Sequence, residues 1–312
     1  MLEYLKGLKW SYQLYNLFQK KALRHNLPLF KKYGLRKRYY SSISSQDFEH
    51  LEKKEYQPKL NSLENAAVFH KFNPETQNSL LGFKENGYAI IKDYFKPAII
   101  DKINEEIDQM VKQGKVNFKY NNRKIMFAIH HSELIRNFAY DKDLSTLYDF
   151  LIGGKAFLFQ SINFVHSGSE QHTHSDSLHM TTFPLGGLLG VWIALEDIEE
   201  DNGPVHYYPG SHKLPYFLNK DFDNVGTKWS LGKKAYADYE KMIEKKVAES
   251  SIQKKLFTAK KGDILIWHAN LLHGGEAHLN KDKTRKSMVL HFFEEEAICY
   301  HEVTQRPALR AK

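Results

Sequence analysis

From about residue 117 onward the chain repeats one pattern, short runs of aromatic and branched residues set apart by turn signals. The clearest runs are Phe157–Val165, Leu188–Leu195, His206–Tyr208, Gly262–Trp267 and Met288–Phe293. Runs this brief, bounded by Gly, Pro and Asn, predict strands rather than helices. Their succession predicts a mainly β sandwich or barrel with helices stacked outside. Two flanking elements are legible upstream. Gly87–Ile91 reads as a strand and Lys96–Gly114 as a helix, with Ile99, Ile100, Ile103, Ile107 and Val111 on one apolar face and Gly114 closing it.

The N-terminal part has a different character. Residues 1–40 carry ten Lys and Arg against one acid, Glu3, a net +9, so the other 272 residues contribute −1 to the chain's +8. The apolar spacing there predicts two short amphipathic helices, broken at Pro28 and again near Gly34, followed by a polar linker over 41–76. The expected division is therefore a basic helical arm and linker over 1–76 and a β domain over 77–312. A polar insertion at about 213–260 interrupts that domain and includes a helix from Ala235 to Glu249.

The apolar faces of the arm are expected to pack on the main domain with their charges in water. The second reading is peripheral docking of residues 1–40 on an anionic membrane. Nucleic acid is not expected, because no recognised reader motif accompanies the charge. A hydrophobic content of 42% suits a globular core, and the single cysteine, Cys299, excludes an internal disulfide framework and a Cys-rich zinc module. With no apolar run of roughly 18 residues and no signal-peptide pattern, a cytoplasmic protein is expected, membrane-peripheral under the second reading.

Chemistry concentrates in Gln171-His172-Thr173-His174-Ser175-Asp176-Ser177-Leu178-His179. Side chains at i and i+2 of an extended segment share a face, so His174 and Asp176 can chelate one ion. The third ligand is assigned to His273, which follows the strand-like Gly262–Trp267 and precedes Gly274-Gly275. Two imidazoles and a carboxylate leave three octahedral positions open, which suits iron(II) that must bind a chelating co-substrate and O2. His172 and His179 remain rival ligands, supporting groups or substrate contacts.

Arg285, twelve residues beyond His273 at the apparent start of the next strand, supplies a guanidinium for the distal carboxylate of 2-oxoglutarate. Lys286 alternates to the opposite face.

In these blocks the sequence resembles the phytanoyl-CoA dioxygenase family of Fe(II)/2-oxoglutarate-dependent oxygenases, over roughly residues 80–295. The resemblance rests on His174-Ser175-Asp176, Val191–Ile198, Asn202-Gly203-Pro204, Pro209-Gly210-Ser211-His212-Lys213, and Leu272-His273-Gly274 followed by Arg285. It implies a double-stranded β-helix, the cupin-like jelly roll. It also implies that Trp192 lines the 2-oxoglutarate pocket and that Asn163 or Gln160 touches the co-substrate. One departure is visible: many members carry Ser or Thr two residues after the distal histidine, where this chain has Gly275.

The activity so implied is a dioxygenase that couples oxidative decarboxylation of 2-oxoglutarate to hydroxylation of a small-molecule C–H bond. Asp176 favours hydroxylation or desaturation over halogenation, since related halogenases carry a small residue there. The alternatives are the same chemistry on a lipid or membrane-linked substrate, and a metal-binding β-barrel protein that is not an oxygenase. Residues 117–140 and 213–260 are the expected lids.

Overall fold

The computed structural model describes residues 7–52, 54–120 and 123–310. The branched runs become strands, in chain order β1 (Tyr88–Ile91), β2 (Phe118–Lys119), β3 (Lys124–Met126), β4 (Ala156–Phe164), β5 (Thr181–Phe183), β6 (Leu188–Ala194) and β7 (Val205–Tyr207). They continue with β8 (Lys255–Phe257), β9 (Ile264–His268), β10 (His273–Gly275), β11 (Ser287–Glu294), β12 (Ile298–His301) and β13 (Arg306–Pro307). A seven-stranded antiparallel sheet has the order β1-β9-β6-β11-β4-β3-β2, and a smaller sheet β10-β7-β8 faces it to make the jelly roll. A third sheet, β13-β12-β5, closes one side.

Both faces of the large sheet are covered, which is why β6 and β11 read as continuous apolar runs rather than alternating ones. Val289, Trp192 and Leu265 stand side by side in register on the inner face, packed against Val205, Tyr207 and Phe257 of the small sheet. Val191, Ile193, Leu290 and Ile266 point the other way, into the helical layer. Each such side chain contributes about 1.5–3 kcal/mol on burial.

That layer is built mainly by two of the helices, named here with the arm and insertion helices in chain order: α1 (Lys9–Phe18), α2 (Pro97–Lys112), α3 (Lys142–Ile152) and α4 (Tyr236–Ser250). Helix α2 begins on Pro97, whose fixed φ suits a first helical position. It ends at Gly114 (φ +66°), where Lys115 N–H reaches back to Met110 O at 3.0 Å. Its buried stripe is Ile100, Ile103, Ile107 and Met110, while Ile99, assigned to that face from sequence, is exposed. Residue 99 lies about 100° from residue 100 around the axis, and the stripe that repeats at three and four residues starts at 100.

The arm differs from its expected outline. Pro28 sits inside the first turn of a helix, Asn26–Lys32, where a missing N–H costs nothing. The interruptions fall instead at Gln19 and at Arg24-His25, giving α1, a single turn Lys20–Leu23, and Asn26–Lys32, which ends at Gly34 (φ +65°). Leu29, Phe30, Ile43 and Phe48 pack on Phe183, Ile298 and Tyr300, with Phe48 stacked on Phe183 at 4.1 Å. Farther along, Leu63, Val68 and Phe69 join the core cluster beneath the large sheet. Among the described residues no helix is long and apolar enough to cross a membrane.

Candidate metal centre

The stretch that presents His174 and Asp176 is extended only as far as Ser175. His174 forms an isolated antiparallel bridge with His273, and Ser175 (φ −109°, ψ 136°) then caps a short 3-10 turn, Asp176–Leu178. The i, i+2 relation still delivers both side chains to one side. Ser175 Oγ donates to Ala269 O at 3.1 Å and accepts from Ser177 N–H at 3.2 Å, so the turn is tied to the β9–β10 connection.

One ligand atom each from His174, Asp176 and His273 falls within 4.8 Å of the others, and all three residues are buried. Asp176 Oδ1 lies 3.7 Å from His174 Nε2 and Oδ2 lies 3.7 Å from His273 Nε2. Both imidazoles use Nδ1 to donate to a carbonyl two residues earlier, His172 O and Leu271 O, each at 2.9 Å. That sets the tautomer and turns the Nε2 lone pairs toward Asp176, the usual arrangement behind a metal-ligating histidine. Burial, reinforced by His273, pulls His174 down to about 3, so it stays neutral as a ligand must. Burial alone would push the Asp176 carboxyl up. The imidazoles of His273, His291 and His174 outweigh it and hold the group well below the ordinary carboxylate range. Trp267 Nε1–H adds a 2.8 Å bond to Oδ2.

Arg285 is buried in the wall of the same cavity, which measures about 1060 Å³. Its Nε donates to Gly203 O at 3.1 Å and Nη1 donates to Ser287 Oγ. Its guanidinium carbon stands 4.9 Å from the centre of the Trp192 ring. Among the described residues no carboxylate lies within ion-pair distance, and burial draws the guanidinium down to about 9. A fork-shaped cation held by two acceptors, with three N–H donors to spare, is prepared for a bidentate anion. Where relatives carry Ser or Thr, a Cβ on Gly275 would come within 2.8 Å of Ser169 Oγ, and Ser287 is the hydroxyl that steadies Arg285.

Trp192 lines this wall, and its buried Nε1–H has no partner among the described residues. Gln160 lines it too, bonded at 3.1 Å to His291 Nδ1. Asn163 does not. It is fully buried but pairs in register with Met288, whose side chain belongs to the helical layer, and it is absent from the cavity lining. Residues 160 and 163 have opposite parity on an unbulged stretch, so one strand cannot aim both at the co-substrate.

His291 also faces the carboxylate, although no sequence motif singles it out. Its Nε2 is 3.5 Å from Asp176 Oδ2, and with Gln160 on Nδ1 the proton sits on Nε2, facing the carboxylate. The signal was available: His291 has the same strand parity as Arg285, six residues on. His179 also reaches the cavity, 3.4 Å from His301, and burial lowers it to about 4. His172 is exposed beside Glu244 at 3.5 Å. Neither belongs to the ligand cluster.

Of the two expected lids, residues from 117–140 line the cavity, Lys124, Phe127 and Arg136 among them. The 213–260 insertion does not. It buttresses the metal turn from behind, with Tyr239 Oη accepting from Ser175 N–H at 3.1 Å and Phe217, Phe222 and Ile243 packed on Leu178 and Leu272. The arm, through Tyr15, Asn16, Gln19 and Ala22, and the C-terminal segment, through Arg306–Leu309, complete the lining.

Known proteins share this architecture. The solved structure titled as the non-heme alpha ketoglutarate dependent carbocyclase SnoK from nogalamycin biosynthesis superposes with a TM-score of 0.61 at 14% identity, covering 83% of this chain and 97% of that one. The structure of EctD from S. alaskensis with bound Fe gives 0.56 at 17% identity, covering 87% and 97%. In sequence, the phytanoyl-CoA dioxygenase domain-containing protein 1 of Danio rerio is 30% identical over 132 residues, so the match spans 41% of each chain. The ectoine dioxygenase of Stutzerimonas stutzeri is 26% identical over 223 residues, 63% of this chain and 70% of that protein. The sequence profile of the family described as Phytanoyl-CoA dioxygenase (PhyH) matches residues 83–287, a span that holds all three metal-ligand candidates and Arg285. By that match the chain belongs to the phytanoyl-CoA dioxygenase family.

Proposed function

We propose that the chain is an Fe(II)/2-oxoglutarate-dependent dioxygenase that hydroxylates a C–H bond of a small molecule. The observation that carries the reading is the buried Arg285, without a carboxylate partner among the described residues, in the wall of the cavity that also holds the His174–Asp176–His273 cluster. The donor set fits iron(II), since two neutral imidazole nitrogens and one carboxylate leave positions open. The site fits 2-oxoglutarate, since Arg285 can receive its distal carboxylate in the wall that Trp192 also lines.

When bound, iron with 2-oxoglutarate and O2 supplies the oxidising power for C–H hydroxylation. The chain's own residues orient and exclude. Trp267 and His291 hold Asp176 in one orientation, Ser287 and Gly203 hold the Arg285 fork, and the carbonyls of His172 and Leu271 keep both ligating nitrogens deprotonated. The apolar inner walls keep bulk water from the reacting carbon.

Cavity composition supports an anionic substrate with apolar bulk. Asp176 is the one acid among the described lining residues, whereas Lys124, Arg136 and Arg306 line it alongside Phe127, Phe159 and Phe293. Lys124, half-buried, makes no ion pair among the described residues, and burial draws its ammonium down. This favours, as a second reading, the same chemistry on a lipid-like or membrane-linked acid. Purified chain supplied with iron(II), 2-oxoglutarate and O2 is expected to release succinate, with Asp176→Ala silent. A screen of carboxylate- and phosphate-bearing metabolites for compounds that accelerate succinate release then finds the substrate. No succinate under any condition would remove the dioxygenase reading.

A further inference from the structure

Helix α1 is amphipathic the wrong way round for a helix at the surface of a water-soluble domain. Its inward side is polar: Asn16 is buried and donates to Tyr40 O at 3.0 Å, and Gln19 just beyond the helix lines the metal cavity. Its outward side is apolar. Trp10, Leu14, Leu17 and Phe18 fall at i, i+4, i+7 and i+8, one stripe, with Trp10 and Leu14 each 49% and Phe18 81% exposed. The stripe is extended from another part of the chain. Leu8 bridges Ser230 and Lys9 N–H donates to Trp229 O at 3.0 Å, which sets Trp229, 69% exposed, beside the start of α1.

The charge around this face has one sign. Residues 7–46 contain nine Lys and Arg and no acid. Lys32 and Lys37 are committed to Glu296 and Asp47, and Lys20 rests over the Tyr40 ring, whereas Lys21, just beyond the helix, and Lys228, against the Trp229 ring, have no carboxylate in ion-pair distance among the described residues. Exposed aromatic and aliphatic side chains bordered by uncompensated cations match the chemistry of an anionic bilayer surface, which takes the apolar stripe between its headgroups and the ammonium groups onto its phosphates. A second protein copy would have to bring acids to the rim of this face.

We infer that α1, with Trp229, is a docking surface for an anionic lipid bilayer. Because the opposite side of the same segment, through Tyr15, Asn16 and Gln19, roofs the metal cavity, docking places the cavity's roof against the membrane. This inference stands apart from the oxygenase reading, since it concerns binding alone.

The test is flotation of the full chain with vesicles of phosphatidylcholine, with and without phosphatidylglycerol. The chain is expected to float with the anionic vesicles, weakly with the neutral ones, and less at high salt. Trp10→Ser with Phe18→Ser is expected to lower the partition at least about tenfold, the factor that full burial of a single aromatic side chain contributes. Lys21→Glu with Lys228→Glu should lower it on anionic vesicles alone. These residues lie away from the metal and its supporting groups, so uncoupled succinate release in detergent-free buffer should match the parent for both pairs, which also shows that they fold. Failure of the parent chain to float, or flotation kept by both variant pairs, overturns the inference. So does a parent chain that sediments as a dimer, turns monomeric in the aromatic variant and never floats, because the face is then covered by a second copy. Loss of succinate release in the parent would overturn the oxygenase reading and leave the docking result standing.

Discussion

His174 and His273 exchange both of their backbone hydrogen bonds, N–H to O at 2.9 Å in one direction and 3.0 Å in the other, so two candidate metal ligands more than ninety residues apart share one β-bridge. Their rings are held 4.6 Å apart, centre to centre. The main chain therefore pre-forms the ligand pair, and the third ligand is what a mutation can remove cleanly. Asp176→Ala is expected to abolish iron-dependent succinate release and to weaken iron(II) binding by at least about a hundredfold, because a site left with two neutral imidazoles loses its charged ligand. Equilibrium dialysis with iron(II) under anaerobic conditions measures the binding. Retained affinity and turnover would assign the metal elsewhere.

Arg285 gives the test of the co-substrate. Arg285→Lys keeps a charge but loses the fork, and the Michaelis constant for 2-oxoglutarate is expected to rise about ten- to a hundredfold with a smaller change in turnover number. The pH sign follows from burial, which draws this guanidinium down to about 9. A base whose folded pKa is depressed weakens the empty fold in full below about pH 9, where it is charged in both states, and the penalty is relieved progressively as pH rises from there toward its ordinary value. A dicarboxylate that pairs with the charge should therefore raise the melting temperature most at neutral pH, with the gain fading above about pH 9. Thermal shift with and without 2-oxoglutarate across that range measures it; a gain independent of pH would remove Arg285 from the binding site.

How much of this was legible beforehand depended on whether a signal was local. Five strands of the large sheet, β1, β4, β6, β9 and β11, were readable because each is bounded by turn residues, whereas the short β2 and β3 fall in the 117–140 segment read as a lid. Asn163 went wrong where parity, applied once more from Gln160, would have excluded it, and His291 was missed where parity counted from Arg285 would have found it. The cavity roof was not legible at all. That Tyr15, Asn16 and Gln19 lie over a site built from residues 160–291 is a packing outcome with no local pattern, and the inverted faces of α1 are visible only once it is known which side is buried.

Trp267 is held where it orients Asp176 by a glycine. A Cβ on Gly190 would stand 2.2 Å from Trp267 Cε2, inside a rigid buried ring that has no flexible end to swing away. Gly190→Ala is therefore expected to displace the indole, lengthen its 2.8 Å bond to Asp176 Oδ2 and cost about 1–3 kcal/mol of stability. Trp267→Phe removes the same bond without forcing the backbone, and should weaken iron affinity about ten- to a hundredfold while keeping most of the stability. Urea denaturation and iron titration separate the two effects. Full iron affinity in both variants would show that the indole does not orient the carboxylate.

The arm is tied to the body by a buried acid. Glu302 is fully buried, and its carboxylate accepts from Ser45 N–H at 2.9 Å and from Ser45 Oγ at 2.7 Å, with no basic side chain in ion-pair distance among the described residues. Burial pushes this carboxyl above its ordinary value, and the two bonds from Ser45 only partly offset it. An acid whose folded pKa is raised stabilises the fold fully below its unfolded value, and that contribution is lost as pH rises through the folded value. Glu302→Gln removes the titration and can still pair its amide with Ser45. The variant is therefore expected to be more stable relative to the parent at about pH 8 than at about pH 4, and at least as stable as the parent at the upper pH. Ser45→Ala, which removes the hydroxyl donor and leaves the buried carboxylate only the backbone N–H of residue 45, should cost about 1–3 kcal/mol at the same upper pH. Urea midpoints of the three proteins at both ends of the range decide the matter. A Glu302→Gln variant that loses ground as pH rises would mean that the carboxylate is stabilised as an anion by a group outside the described contacts.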